Sequence, residues 1–99
     1  MLKNIPPKLN ELITVVCEDN NVQPSWLLTE RRSKREVYAR WMAYLLVREF
    51  TPHTYNKIAV IFNKDHKSVY YAFKKMDDNP QRFSDDFISY KQLYENWKN

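Results

Sequence analysis

Apolar positions recur at helical spacing along nearly the whole chain. Leu9, Leu12, Ile13 and Val16 share one face of a segment from about Pro7 to Asp19, with Asn10, Glu11, Glu18 and Asp19 on the other. Cys17 lies beside that face and reads as a small buried hydrophobe. Asn20-Asn21 ends the helix, because asparagine tolerates left-handed backbone. Pro24 opens a very short second helix, anchored by Trp26, Leu27 and Leu28. From Lys34 to Phe50, the residues Val37, Tyr38, Trp41, Met42, Tyr44, Leu45 and Leu46 cover more than one face. That pattern predicts a central helix packed on several sides, with Arg40 and Arg48 emerging from its remaining polar side. Thr51-Pro52 stops it, since proline disfavours helical geometry in the preceding residue.

The next stretch splits most cleanly. Tyr55, Ile58, Ala59 and Phe62 form one face of a short helix over 54–62. Asn63-Lys64 is a tight polar turn, and Asp65 is a good N-cap for the helix that follows to Met76. There Val69, Ala72, Phe73 and Met76 make an apolar stripe, and Lys67, Tyr70, Tyr71 and Lys74 make a basic, aromatic one. Residues 77–82 read as a loop. Ser84, Asp85 and Asp86 then suit the start of a last helix, whose Phe87, Tyr90, Tyr94 and Trp97 cover the core. The expectation is an all-α bundle of about six helices in one domain over 1–99, with residues 1–7 as an extended lead and a helix-turn-helix at 54–76.

Composition narrows the chemistry. The 99 residues contain no glycine, so glycine-rich phosphate loops and dinucleotide fingerprints are excluded. One cysteine rules out an internal disulfide and suits a reducing cytoplasm. No apolar run approaches the roughly 20 residues that span a bilayer, so no membrane partner is expected. Cys17, His53 and His66 lack paired metal-ligand spacing, so no metal or other cofactor is expected either. No nucleotide ligand and no catalysis are expected: Asp77-Asp78 and Asp85-Asp86 read as loop and cap residues, not as an acid–base pair.

Charge is mild in sum, +4, but uneven. Arg31, Arg32, Lys34, Arg35, Arg40 and Arg48 outweigh Glu30 and Glu36 within residues 29–48. Lys64, Lys67, Lys74 and Lys75 outweigh Asp65 within 63–75, and acid dominates 77–86. Positive charge gathered in two central segments and kept out of the following loop favours a polyanion as partner. Thr29 to Glu36 is then either a solvated loop or a basic arm able to enter a minor groove, where arginine is favoured. The helix from Asp65 is either an ordinary amphipathic helix or a recognition helix. The competing function class is a protein-interaction module, with Tyr70, Tyr71 and Trp41 in an interface and a protein partner of unspecified kind.

Two segments carry a family resemblance. LLTERRSKREVYARWMAYLLVREFT (27–51) is similar in layout to the basic loop and long helix of the C-terminal DNA-binding domain of the bacterial replication initiator DnaA. FNKDHKSVYYA (62–72) resembles that family's Phe-Gly-Gly-Arg-Asp-His-Thr-Thr-Val-x-x-Ala signature, and the Asp-His pair is its most specific part. The similarity extends from about Leu9 to Trp97. It implies a helix-turn-helix that binds double-stranded DNA in the control of replication initiation or transcription. It implies Arg32 in the minor groove, and Asp65, His66 and Lys67 at base edges in the major groove. Ser68 and Arg48 match positions that hold phosphates or neighbouring base edges, and Tyr70 one that packs toward bases. Arg31, Lys34, Lys64, Tyr71 and Lys74 complete the candidate DNA surface on grounds of charge and position.

The departures are specific. One glycine of the family turn is missing and Asn63 stands at the other, so the turn is a residue shorter. Lys67 replaces a base-reading threonine. Because lysine prefers guanine or phosphate, the family's target sequence is not expected here. Asn56 replaces a proline. The family's initiators also carry an ATPase module, which a glycine-free chain cannot build. The expectation is a free-standing DNA-binding protein without ATPase activity, or an excised domain of a longer one.

Overall fold

A computed structural model describes residues 2–30 and 32–98. Helices α1 (Pro7–Asp19), α2 (Lys34–Phe50), α3 (Tyr55–Ile61), α4 (His66–Asp78) and α5 (Gln81–Lys98) surround one core, with a 3-10 helix at Pro24–Leu28 between α1 and α2. There is no strand among the described residues. All six predicted helical segments are present, and the one at Pro24–Leu28 takes 3-10 geometry, leaving five α-helices among the described residues.

Without glycine, asparagine takes the left-handed positions. Asn4, Asn21 and Asn63 have φ of 67°, 56° and 56°. Behind α1, the Val22 amide donates to the Cys17 carbonyl at 2.9 Å and the Asn21 amide to Glu18 at 3.2 Å. That is a Schellman cap, with Asn21 where glycine is usual and Val22 closing over the core. Cys17 is fully buried, and desolvation, with the Glu18 carboxylate beside it, pushes its thiol up to about 11. It is an inert core residue.

Helix α2 is central, as its apolar girth predicts. Ser33 caps it: its Oγ accepts from the Glu36 amide at 3.3 Å and donates to Glu36 Oε1 at 2.6 Å. Arg40 departs from expectation. It does not emerge into solvent but is 7% exposed, donating to the carbonyls of Leu27 (3.3 Å), Trp26 (3.4 Å) and Thr29 (3.2 Å). The guanidinium fork gathers three carbonyls where the 3-10 helix ends, so its burial follows from the chain turn beneath it.

The start of α5 is a second correction. The loop expected over 77–82 shrinks to Asn79-Pro80, and the helix begins at Gln81, not Ser84. The Pro80 carbonyl accepts from the amides of Phe83 (3.0 Å) and Ser84 (2.9 Å). The earlier start lets Phe83 bury, stacked on Tyr38 with ring centroids 5.2 Å apart. Two tyrosine–carboxylate bonds then lash α5 down: Tyr38 donates to Asp86, and Tyr90 to Asp19 at 2.7 Å. Burial first, and the carboxylate bonds second, push both phenols well above their usual range. Tyr94 is buried, and Phe87, Tyr90 and Trp97 lie half-buried against the core, the covering role expected of that stripe.

Among the described residues no helix is long and apolar enough to cross a membrane. Nor does any group of three or more His, Cys, Asp or Glu side chains converge as a metal site.

Candidate nucleic-acid interface

Helices α3 and α4 form the helix-turn-helix, and the turn is built without glycine. Thr54 caps α3, its Oγ1 accepting from the Lys57 amide at 3.2 Å. At the other end the Lys64 amide donates to Ala59 at 2.8 Å and the Asn63 amide to Val60 at 3.2 Å, a second Schellman cap. Asn63 therefore supplies, without glycine, the left-handed residue that this turn needs. Replacing it with valine, which resists left-handed backbone, should cost about 1–2 kcal/mol in urea denaturation. Replacement with glycine should cost nothing. Equal stability of the valine variant and the wild type would contradict this account of the turn.

Asp65 caps α4 through Oδ1, which accepts from the Lys67 amide at 3.0 Å. His66 Nδ1 lies 3.4 Å from the same oxygen. The Ser68 hydroxyl donates to the Asp65 carbonyl at 2.8 Å, within the first turn. One carboxylate oxygen and the imidazole thus face outward from a helix start already fixed by its own bonds. Beyond it the two faces separate as predicted. Val69, Ala72, Phe73 and Met76 are buried; His66, Lys67, Ser68, Tyr70, Tyr71 and Lys74 are exposed. Tyr70 and Tyr71 are each more than half exposed and stand side by side on the outer face of α4. Tyr70 leans edge-on to Tyr55 at 6.0 Å, which fixes its ring without covering it.

The basic loop lies beside this surface. The Arg32 side chain is 82% exposed, with its guanidinium 3.9 Å from Glu30 Oε2. Lys34 is exposed at the first turn of α2. A cleft of about 380 Å³ separates the loop from α4, lined by Glu30, Arg32, Arg40, Trp41, Lys64 and Tyr71 among others. Three cations face one carboxylate there, an electropositive recess between loop and helix. Arg31, also a candidate, lies outside the described residues.

Two candidates sit apart from the exposed set. Arg48 lies with its guanidinium 4.2 Å from the Phe73 ring centroid and 3.7 Å from Asp77. Those partners are six and ten residues beyond Lys67, roughly 9 and 15 Å along the helix. Arg48 is half-buried, and it braces the second half of α4 against α2. The Lys64 side chain is 8% exposed; its ammonium donates to the Thr29 carbonyl and lies 3.6 Å from Glu30 Oε1. Desolvation chiefly, and then the Arg40 charge, hold its pKa below the usual lysine range. Sequence reasoning placed Lys64 by charge and position, and Arg48 by the family resemblance. Nothing in the local pattern marks a lysine that turns inward to a loop some 35 positions earlier.

Comparison with known proteins agrees with this geometry. The family described as bacterial dnaA protein helix-turn-helix matches residues 9–76, so α5 falls beyond the matched region. A chromosomal replication initiator protein DnaA from Sulfurimonas denitrificans is 34% identical over 79 residues, covering 79% of this chain and 18% of the relative. Proteins of the same description from Nautilia profundicola and Wolinella succinogenes are 31% and 32% identical, over 86% and 92% of the chain and 20% of each relative. The chain spans about a fifth of the length of the curated relatives it matches.

Proposed function

The chain belongs to the bacterial DnaA helix-turn-helix family, and from that premise we propose that it binds double-stranded DNA in a sequence-dependent way. Helix α4 would enter the major groove by its N-terminus, with Arg32 reaching the adjoining minor groove. The observation that carries the reading is the exposed start of α4. Its backbone is fixed by the Asp65 cap and the Asn63 turn, while the side chains of His66, Lys67 and Tyr70 stay exposed on the outer face. Asp65 would accept through its second oxygen from a cytosine amino group, and His66 would meet a base edge or a thymine methyl. The α4 N-terminus, Lys34 and Lys74 suit phosphate, and the Ser68 hydroxyl would donate to one by turning from the Asp65 carbonyl it now bonds. Arg48 and Lys64 would act from behind this surface. In this reading the protein controls replication initiation or transcription by occupying DNA, with no step of nucleotide hydrolysis.

The experiment is a salt titration of duplex binding. DNA binding through several phosphates predicts a steep fall in affinity with salt, with a slope near −0.9 per phosphate. Lys74→Ala should weaken all duplexes about equally and flatten the slope by roughly one unit. Affinity indifferent to salt, or absent, would sink the proposal. The exposed Tyr70 and Tyr71 favour one second reading, a protein-interaction surface on the same scaffold, which would be salt-tolerant and lost on replacing both tyrosines.

A further inference from the structure

The enclosed lysine of the helix-turn-helix turn has no surface to offer a phosphate, yet it is not idle. Lys64 has its backbone fixed by the cap behind α3, its amide bonded to the Ala59 carbonyl at 2.8 Å. From that fixed point its side chain crosses to the basic loop and donates to the Thr29 carbonyl. The same carbonyl accepts from Arg40 Nη2 at 3.2 Å. Two cations from different elements, the turn and α2, therefore hold one loop oxygen. At its far end the loop is fixed again, where Ser33 caps α2. Glu30, between them, pairs with Lys64 at 3.6 Å through Oε1 and with Arg32 at 3.9 Å through Oε2. The exposed guanidinium of Arg32 thus stands on a loop moored to the turn that launches α4.

We infer that Lys64 is a positioning residue, a clasp that sets the register between the Arg32 loop and the start of α4 so that both address one stretch of duplex. The inference rests on the DNA-binding reading for its consequence but not for the clasp itself. A phosphate contact and a clasp differ in what they predict. A lost phosphate contact flattens the salt slope. A lost clasp leaves the slope alone, frees the loop, and relaxes the sequence preference that Arg32 supplies in the narrow minor groove.

The test uses Lys64→Gln and Lys64→Met, the second keeping the enclosed alkyl contacts without the charged donor, and Lys64→Arg as the conservative rescue. In the free protein, amide order parameters at Glu30 and Arg32 should fall from the rigid range toward about 0.6 or below in Gln and Met. Those of α4 should hold, and Arg should restore the loop. On duplexes the Gln and Met variants should keep the wild-type salt slope and lose about tenfold in preference for an A·T-rich flank. Unchanged loop order in both variants overturns the clasp. A slope reduced by about 0.9 with an ordered loop makes Lys64 a phosphate contact instead. Loop order is read without DNA, so failure of the wild type to bind duplexes would overturn the DNA reading and leave the clasp to its own result.

Discussion

Phe73→Ala should lower stability by about 3–5 kcal/mol, the range for removing a buried phenylalanine from a close-packed core. Phe73 is 1% exposed. Its ring stacks on Tyr55 with centroids 4.8 Å apart, meets Tyr44 at 6.1 Å and carries the Arg48 guanidinium 4.2 Å from its centroid. Those contacts come from α3 and α2, so one side chain seats α4 on both helices behind it. Its loss leaves a cavity at that junction and removes the platform under Arg48. Urea denaturation measures the cost, and thermal melting should show a fall of roughly 12 °C or more. A variant within 1 kcal/mol of wild type would mean that α4 is held elsewhere.

That junction was legible in the sequence. Val69, Ala72, Phe73 and Met76 lie at helical spacing, and all four are buried. The capping residue Asp65 and the opposite exposed stripe followed from the same local pattern, because amphipathic periodicity and cap chemistry act within a few residues. What the sequence hid was non-local. Arg40 and Lys64 look like surface charge in any window, and both turn inward to carbonyls of the 3-10 helix and its following loop. Arg48 looks free and lies on Phe73. The start of α5 was misplaced for a related reason. Ser84 with two aspartates is a good local start, but burying Phe83 against Tyr38 requires the helix to begin at Gln81. The two asparagine caps, by contrast, were legible: Asn20-Asn21 and Asn63-Lys64 were expected to end α1 and α3, and Asn21 and Asn63 take the left-handed conformation there.

Lys67→Thr should change which DNA sequence the protein prefers without disturbing the fold. Lys67 is exposed, and the structure uses only its backbone amide, bonded to Asp65. Asp65→Ala would be a poorer probe, because it removes the N-cap and costs about 1 kcal/mol of stability by itself. At the second position of a helix entering the major groove, lysine favours guanine or phosphate, whereas threonine offers a hydroxyl and a methyl. The variant should bind the wild-type site more weakly by about 1–3 kcal/mol and move toward sequences read by relatives with threonine there. Arg32→Ala should leave the major-groove preference intact and relax only the A·T-rich flank. Identical preferences in wild type and both variants would contradict base reading by this surface.

The central claim, that the N-terminus of α4 reads DNA, is tested most directly by selecting bound duplexes from a random pool with the wild-type protein. The account predicts one enriched motif with an A·T-rich flank on one side, its core changed by Lys67→Thr. A bound pool no more enriched than the input would contradict it.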